Sequence, residues 1–562
     1  MRRTAKRFLC FLLAVILMAT VLSSCSGGDK MIDFIYPFSN NVNSLDPQVA
    51  GTSDEYLIIE NTFEGLIRMD DEGNIQKGVA DAWDISKNGL TYTFHLKKGL
   101  RWNIDTDKYE QGDKAGEFKD ERLQMLGYEF NPEITAKDFV FALQRAAAPE
   151  TQCPLFSTIA SIKNANAVYS GKMPRTALGV KALDDYTLQI TLSYPDSAFM
   201  ETLTSAVAMP CNEEFFNATK GRYGLLTKYT LFNGQFYLKQ ILESSYLLKK
   251  NELYLGEFPA AADELTLKIT DEEDNTTEKL LSGYYDAAFI RGTDSKAVLK
   301  SDALTTQPYN DTTWALQFNT NSVIFSSKTM RKAFCLGLER LKDYDEAYLT
   351  DAKALTPSSC KIGANNAVDA IGATAKKQNK KNSIALWKQG LKNFDITDIT
   401  IEIITTPEME NALKQTLQGV QSSIGTVVRN DDGDQIETVF KVETMTEAEM
   451  KTAMIKGEYD IALCPFRATS ESAISYLRSV SDSASGYNKK KVESALINAE
   501  KATDLSKKAT AVRNAENRII GSWALYPLIY ETGYYVEAKG VKGVQFHKGT
   551  GRVSFVNATR AD

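Results

Sequence analysis

The thiol of Cys25 is the group in this chain that is placed most clearly for covalent chemistry. Four basic residues and a fifteen-residue apolar run (residues 8–22) precede it, which is the pattern of a secretory signal. The run is shorter than the roughly 20 residues that a membrane-spanning helix needs. Ser23 and Ser24 lead directly into Cys25, as in a bacterial lipobox. We therefore expect residues 1–24 to be a lipoprotein signal peptide and Cys25 to carry the lipid anchor; an ordinary cleaved signal with a chance cysteine is the alternative.

Arg467 and Glu471 are oppositely charged residues four positions apart, and each could bind a ligand of opposite charge if its segment lined a binding site. An arginine holds a carboxylate through two parallel hydrogen bonds, and a glutamate can pair with an amine. The two residues are also close enough in sequence to form a salt bridge with each other, which would leave neither for a ligand. Both interpretations stay open at this point.

The groups that enzymes use most often are scarce. Only two histidines, His95 and His547, are present, and His95 falls within the alternating pattern of a strand. The chain has no GxSxG nucleophile motif, no HExxH zinc motif and no glycine-rich phosphate loop. The sequence therefore predicts a binding protein rather than an enzyme, with no cofactor and no metal site.

Charge and cysteine content describe an exported surface protein. Loss of the signal's four basic residues takes the formal net charge from −7 to −11, which argues against a nucleic-acid partner. Beyond Cys25 the number of cysteines is odd and none forms a CxxC pair, so isolated buried thiols are expected rather than a disulfide framework. These cysteines are Cys153, Cys211, Cys335, Cys360 and Cys464.

Strand and helix signals alternate, which predicts an α/β fold. Residues 186–192 alternate between apolar and polar, as a half-buried strand does. Thr135 with Asp138 resembles a capping box at the start of a helix. Further helices are expected at 329–340, 408–418 and 492–520, the last with a break near residue 505. Residues 103–132 carry twelve charges in thirty positions and are predicted to be a solvated insertion.

Several strings of this chain resemble one family when they are taken in order. They are LDP at 45–47, FEGL at 63–66, GVADAWDIS from 78, LTYTFHLKKGLRW at 90–102, ITAKDFVFALQR from 134, LGVKALDDYTLQITL at 178–192, FNGQFYL at 232–238 and ALYPLIYETGYYVEAKGVKG at 524–543. Their order and chemistry resemble the extracellular solute-binding proteins of family 5, the oligopeptide- and dipeptide-binding receptors of ABC importers.

The resemblance implies a two-lobed periplasmic-binding-protein fold of type II. Lobe I would comprise residues 25–62, 187–282 and 525–562, and an extra subdomain of this lobe would comprise residues 63–186. Lobe II would run from 283 to 524 and begin at the GYYDAAF segment, which matches the family's G..D signature. The chain would cross between the lobes twice.

The resemblance also implies where a ligand would lie. In peptide-binding relatives, an extended peptide is held between the segment after LDP, here Gly51, Thr52 and Ser53, and a strand corresponding to residues 462–469. A Trp-x-x-Asp-Tyr string there supplies an aspartate that pairs with the peptide's α-amino group. Phe466 takes the tryptophan position and Thr469 the aspartate position, so we expect no such grip on a free amine unless Glu471 replaces the aspartate.

The remaining implied site residues come from the same comparison. Pro465 removes a backbone donor from the predicted strand, and Cys464 lies beside it. Phe156, or its neighbour Leu155, takes the place of a tyrosine in relatives, and Trp314 is a candidate for the cavity wall. Core packing is an equally good interpretation for both aromatic residues.

The implied function is the capture of a peptide or similar solute and its delivery to ABC permease subunits by a lipid-anchored, extracytoplasmic monomer. The family also serves nickel complexes, haem, oligosaccharides and opines, so these ligands stay open. A surface sensor without its own importer is a further alternative, and an extracytoplasmic hydrolase is disfavoured by the low histidine count.

Overall fold

In the computed structural model, the described residues are 32–70, 72–127, 129–196, 198–271, 274–341, 348–363, 365–391, 398–425, 437–468, 471–502, 504–547 and 552–561. The predicted signal peptide and Cys25 lie outside them, and so does Thr469 of the predicted site. Within these ranges, no helix is long and apolar enough to cross a membrane.

The first lobe, residues 32–270 and 538–561, is built on two four-stranded sheets. In spatial order, one sheet has the strands Asp33–Phe38, Glu264–Ile269, Ser245–Lys250 and Phe236–Ile241, and the other has Ala80–Ile85, Thr91–Leu96, Thr187–Thr191 and Val180–Asp184. Its α-helices are Ser53–Thr62, Leu123–Leu126, Ala136–Ala147, Ala165–Tyr169, Phe199–Thr202 and Glu213–Ala218. One continuous apolar core joins both sheets.

The second lobe, residues 276–537, is built on a larger mixed sheet. Its main strands, in spatial order, are Ala287–Ile290, Leu525–Glu537, Thr305–Phe318, Ile461–Arg467, Asp398–Thr405 and Glu437–Thr444; Leu349–Asp351 also pairs with Leu525–Glu537. Its α-helices are Thr276–Leu281, Ser295–Leu299, Lys328–Gly337, Ala367–Ile371, Lys380–Leu391, Glu410–Gly425, Glu447–Lys456, Ala473–Ser483, Lys489–Lys501 and Leu505–Ile520. Two apolar cores contain residues of this sheet and of its helices.

Short two-stranded pairings complete the structure. They are Ile67–Met69 with Ile75–Lys77, Lys361–Ile362 with Asn365–Asn366, Val541–Lys542 with Thr559–Arg560, and Gln545–His547 with Arg552–Ser554. The last two belong to the C-terminal segment, which packs into the first lobe's core.

Local signals in the sequence predicted several elements correctly. The helix after Thr135 runs Ala136–Ala147, and Asp138 accepts the backbone N–H of Thr135 at 2.7 Å. The predicted break near residue 505 separates Lys489–Lys501 from Leu505–Ile520. The mixed α/β class is therefore confirmed.

Two predicted lobe boundaries differ from the structure. Strand Leu525–Glu537 pairs along its length with Thr305–Phe318, so it belongs to the second lobe's sheet and the boundary predicted at 525 lies after 537. Strand Thr187–Thr191 pairs with Thr91–Leu96, so the boundary predicted at 187 would cut through one sheet. Both errors have one cause: strand pairing over long sequence separations decides the grouping, and local patterns do not report it.

The insertion at 103–132 is held against the first lobe. Arg122 donates to Asp120 at 2.9 Å, to the carbonyl of Thr230 at 3.2 Å and to the carbonyl of Asn103. Many of its residues are exposed, as a charged surface segment requires.

The two lobes meet around the buried carboxylate of Asp286. It accepts the backbone N–H of Ile35 at 2.7 Å and pairs with Arg560 at 2.5 Å. The Asp286 backbone donates to the carbonyl of Ile35 at 3.0 Å and accepts the N–H of Ala538 at 2.8 Å. Asp286 therefore joins the first strand to the two segments in which the chain passes between the lobes.

The cysteines within the described residues are free and buried. They are Cys153, Cys211, Cys335, Cys360 and Cys464. The prediction of isolated buried thiols is confirmed for these five.

Glu60 ties the C-terminal segment to helix Ser53–Thr62. Its carboxylate lies 3.0 Å from Arg552 Nη1 and 3.0 Å from His547 Nε2, and its side chain is 14% exposed. Burial alone would raise the pKa of Glu60, but Arg552 and His547 outweigh it and hold this pKa at about 2.

We expect Glu60→Gln to lower the free energy of unfolding at pH 7 by about 3 kcal/mol. Because the folded-state pKa lies below the ordinary value of 4.5, ionised Glu60 stabilises the fold above that pH, and the contribution is lost as the pH falls towards 2. Urea unfolding at pH 7, 4.5 and 3 should show the difference between wild type and variant shrinking on acidification. The exposed Glu72→Gln serves as the control, and a difference independent of pH would contradict the assignment.

Candidate functional site

Strand Ile461–Arg467, which the sequence places beside the ligand, lies inside the second lobe's sheet. It pairs antiparallel with Thr305–Phe318, and Pro465 stands opposite Trp314. On its other side, strand Asp398–Thr405 is in register only with Ile461 and Ala462. Among the described strands, the part of Ile461–Arg467 around Pro465 therefore has one neighbour, and Pro465 offers no N–H to a second.

Arg467 is already engaged by a carboxylate. Its two terminal nitrogens lie 2.8 and 2.6 Å from the two oxygens of Glu447, a bidentate pair on the lobe surface. Hydrogen bonds from Arg467 hold the pKa of Glu447 below its usual range. The salt bridge considered from the sequence thus exists with a different partner: Glu447, and not Glu471.

Trp314 and Phe156 are packed within the lobes. The indole N–H of Trp314 donates to Glu531 at 2.7 Å, and its side chain belongs to an apolar core of the second lobe. The ring of Phe156 stacks on Tyr169 with centroids 3.7 Å apart. Cys464 and Phe466 are also buried, in the other apolar core of the second lobe. The side chains of Trp314, Phe156, Cys464 and Phe466 therefore pack in the apolar cores of the lobes.

Gly51, Thr52 and Ser53 form the start of helix Ser53–Thr62. Thr52 is the N-cap residue, and its hydroxyl accepts the N–H of Glu55 at 3.2 Å. The Glu55 carboxylate accepts the N–H groups of Gly51 at 2.7 Å and Thr52 at 3.0 Å. Desolvation opposes ionisation of Glu55, but these backbone hydrogen bonds prevail and lower its pKa. Two donors of the predicted peptide-binding segment are therefore used within the protein.

A cavity of about 90 Å³ lies between the two lobes. Among the predicted site residues, Glu471 lines it. The first lobe contributes Ser157, Thr158, Asp196, Ala198, Glu201 and Thr202, and the second contributes Lys361, Ile362, Gly363, Glu471, Ser472, Ile474, Ser475, Arg478, Glu500 and Lys508. The lining carries carboxylates and cations from both sides of the cleft, and we name it the interlobe cavity.

Two carboxylates from opposite lobes approach each other in this cavity. The backbone N–H of Glu471 donates to Glu201 Oε1 at 3.2 Å, which is a direct hydrogen bond between the lobes. Lys361 Nζ lies 2.6 Å from Glu471 Oε2. Burial and the neighbouring Glu471 carboxylate raise the pKa of Glu201. The ammonium of Lys361 is therefore the counter-ion of Glu471 in this cavity.

A second charged group in the cavity lining belongs mainly to the second lobe. Arg478 pairs with Glu493 at 3.1 Å and with Glu500 at 2.7 Å. Lys508 is 5% exposed, and burial lowers the pKa of its amino group. From the first lobe, Tyr194 lies beside Glu500, and burial together with that carboxylate raises the pKa of its phenol. The cavity lining therefore carries charges of both signs.

The structure adds residues that the sequence did not indicate, above all Glu201 and Lys361. Each is an isolated charged residue without a motif around it. Their role is visible only when two segments far apart in sequence face each other. Within the described residues, no three side chains of histidine, cysteine, aspartate or glutamate are grouped as a metal site requires.

Comparison with known proteins gives consistent matches over most of the chain. The family model of bacterial extracellular solute-binding proteins, family 5 (Middle), matches residues 74–488. The oligopeptide-binding protein OppA of Bacillus subtilis is 25% identical over 97% of this chain and 98% of its own length. The oligopeptide-binding protein AmiA of Streptococcus pneumoniae is 30% identical over 50% of this chain, which spans only 41% of AmiA. The probable deoxycholate-binding periplasmic protein YgiS of Escherichia coli is 27% identical over 58% of this chain and 57% of its own.

Solved structures share the architecture. Listeria monocytogenes OppA bound to peptide aligns with a TM-score of 0.71 at 19% identity, covering 95% of this chain and 100% of that one. The murein tripeptide binding protein MppA of Escherichia coli aligns with a TM-score of 0.71 at 17% identity, covering 95% and 99%. At such identities the likeness shows the fold alone, and it confirms the two-lobed type II fold.

The relatives are solute-binding proteins, so the prediction of a protein that is not an enzyme is confirmed. The family match covers well over half of the residues, in the part of the chain that contains the resembling strings from GVADAWDIS to FNGQFYL. This chain belongs to the bacterial extracellular solute-binding proteins of family 5.

Proposed function

We propose that this protein is the lipid-anchored substrate-binding subunit of an ABC importer, which captures a peptide or peptide-like solute between its lobes and delivers it to membrane permease subunits. The observation that carries the proposal is the interlobe cavity, with charged side chains from both lobes. Its ligand class is supported by relatives named as oligopeptide-binding proteins.

The small size of the cavity supports a movement of the lobes when ligand binds. About 90 Å³ is well below the roughly 300 to 1,000 Å³ of ordinary ligand pockets. The hydrogen bond between Glu471 and Glu201 is a polar contact that water can replace when the lobes separate. A ligand that touches both lobes only when they are shut shifts the population towards closure.

The charges of the cavity suit a zwitterionic solute such as a peptide. Thr469, at the position of the relatives' aspartate, has only a neutral oxygen, whereas Glu471 and Glu201 place two carboxylates at the cleft. We propose that these glutamates receive the ligand's amine and that Glu471 is the principal anchor. Arg467 would reach a ligand carboxylate only after leaving Glu447, so its proposed role is secondary.

A non-peptide solute is the alternative ligand class, and the relative named as probably deoxycholate-binding favours it. Oligosaccharides, metal chelates, haem and opines belong to the same alternative, as does a surface sensor without its own importer. Native mass spectrometry of cargo retained by the purified protein distinguishes a peptide from any of these solutes.

The anchoring proposal predicts that Cys25→Ser abolishes labelling of the protein by a palmitate analogue. The serine hydroxyl does not replace the thiol as the lipid acceptor, so protein is released or precursor accumulates. Labelled cells are fractionated and washed without detergent, and Cys153→Ser, which keeps Cys25, is the control. Unchanged palmitate labelling of the Cys25 variant would refute lipid attachment at this residue.

The ligand proposal predicts that free-amine tripeptides bind roughly 10 to 100 times tighter than their N-acetylated forms, about 1.4 to 2.7 kcal/mol. Glu471→Gln keeps the size of the side chain but removes its charge, so it should abolish this preference. Arg467→Ala should weaken binding of peptides with a free carboxylate by a smaller factor, and calorimetry measures all three effects. Equal binding of free and acetylated peptides by the wild type would rule out an amine anchor.

The closure proposal predicts a smaller radius of gyration with bound ligand than without it. Small-angle scattering compares protein carrying its cargo with protein that has been denatured, stripped of cargo and refolded. Superimposable profiles, with binding confirmed by calorimetry, would exclude closure as the capture mechanism.

A further inference from the structure

Lys361 is fixed to Glu471 by its backbone and by its side chain. Its N–H donates to the carbonyl of Glu471 at 2.5 Å, and its ammonium lies 2.6 Å from the carboxylate. Residue 361 also forms a parallel β-bridge with Ser472. The ammonium is therefore held beside the Glu471 carboxylate in the interlobe cavity.

The same ammonium also faces the first lobe. A Cβ atom on Gly73 would lie 3.8 Å from Lys361 Nζ, which places the charge beside a turn of that lobe. The Lys361 charge also acts on Glu201 and lowers its pKa, against the larger effects of burial and Glu471. Without Lys361, closing the cleft would bring the Glu471 carboxylate towards Glu201 without its own counter-ion, which is costly.

The side chains of Lys361 and Glu471 differ in how freely they can move out of the interlobe cavity. Lys361 is 39% exposed and has a flexible four-carbon stem, whereas the Glu471 side chain is 13% exposed. A cavity of about 90 Å³ offers little room for a second ammonium beside the first. An incoming amine can reach Glu471 when Lys361 swings into solvent.

We propose that Lys361 is an internal competitor for the ligand's amine. Its ammonium occupies the cationic subsite at Glu471 in the ligand-free protein, so it stabilises closure without ligand and weakens the binding of amines. Lys361 thereby sets how strongly the site selects free-amine ligands. This inference rests on the proposed function and on the role proposed there for Glu471.

The first test removes the charge with Lys361→Met, which retains an unbranched apolar stem. Wild type and variant are dialysed to equilibrium against a mixed tripeptide pool, free or N-acetylated, and bound peptide is quantified by mass spectrometry. We expect about tenfold tighter binding of the free-amine pool, whose amine replaces the lost ammonium, and no tighter binding of the acetylated pool, which brings no cation. Lys490→Met, an exposed lysine of the same lobe, should leave both unchanged.

The second test needs no ligand. Cargo-stripped Lys361→Met should have a larger radius of gyration than cargo-stripped wild type or Lys490→Met, because its closed state has lost a counter-ion. Weaker binding of both pools by Lys361→Met, or equal radii of gyration, would overturn the proposal. If the wild type binds neither pool, the proposed peptide function fails. The scattering comparison without ligand still tests whether Lys361 stabilises the closed state.

Discussion

The arrangement of the two lobes depends on the hydrogen bonds and ion pair of Asp286. Its carboxylate is shared between the backbone of Ile35 and the guanidinium of Arg560, and its own backbone joins Ile35 and Ala538. The first strand, both crossings and the C-terminal segment therefore meet at one buried residue. The first lobe's apolar core also contains Ala287, Tyr309 and Tyr535 of the second lobe, so apolar packing accompanies these polar contacts where the lobes join.

The surfaces that face each other across the cleft differ in chemical composition from the interiors of the lobes. Large apolar clusters hold each lobe together, whereas the interlobe cavity is lined by ionised and hydroxyl side chains. Apolar burial would favour permanent closure, since it is roughly proportional to area and needs no matching partner. Charged contacts are nearly balanced by hydration, so a cleft lined in this way lacks the strong bias towards closure that an apolar lining would give.

The sequence predicted what is encoded locally. The capping pair at Thr135 and Asp138 and the break near residue 505 are signals of a few residues, and the resembling strings supplied the two-lobed fold. The candidate site was predicted less well, because Glu471 meets Glu201 across 270 positions of sequence. The sequence left the role of the aromatic residues open, because a buried tryptophan in a strand has the same pattern whether it faces a core or a cavity.

The buried thiols have a practical consequence. Burial raises the pKa of Cys153 to about 11 and those of Cys211 and Cys464 to about 12, and it raises those of Cys335 and Cys360 well above the usual value of a thiol. A maleimide dye reacts with thiolates at neutral pH, so these five side chains should remain unmodified while the protein is folded. One new surface cysteine on each lobe would then accept a fluorophore pair without replacement of any of the five. Energy transfer between the dyes would report the distance between the lobes in single molecules.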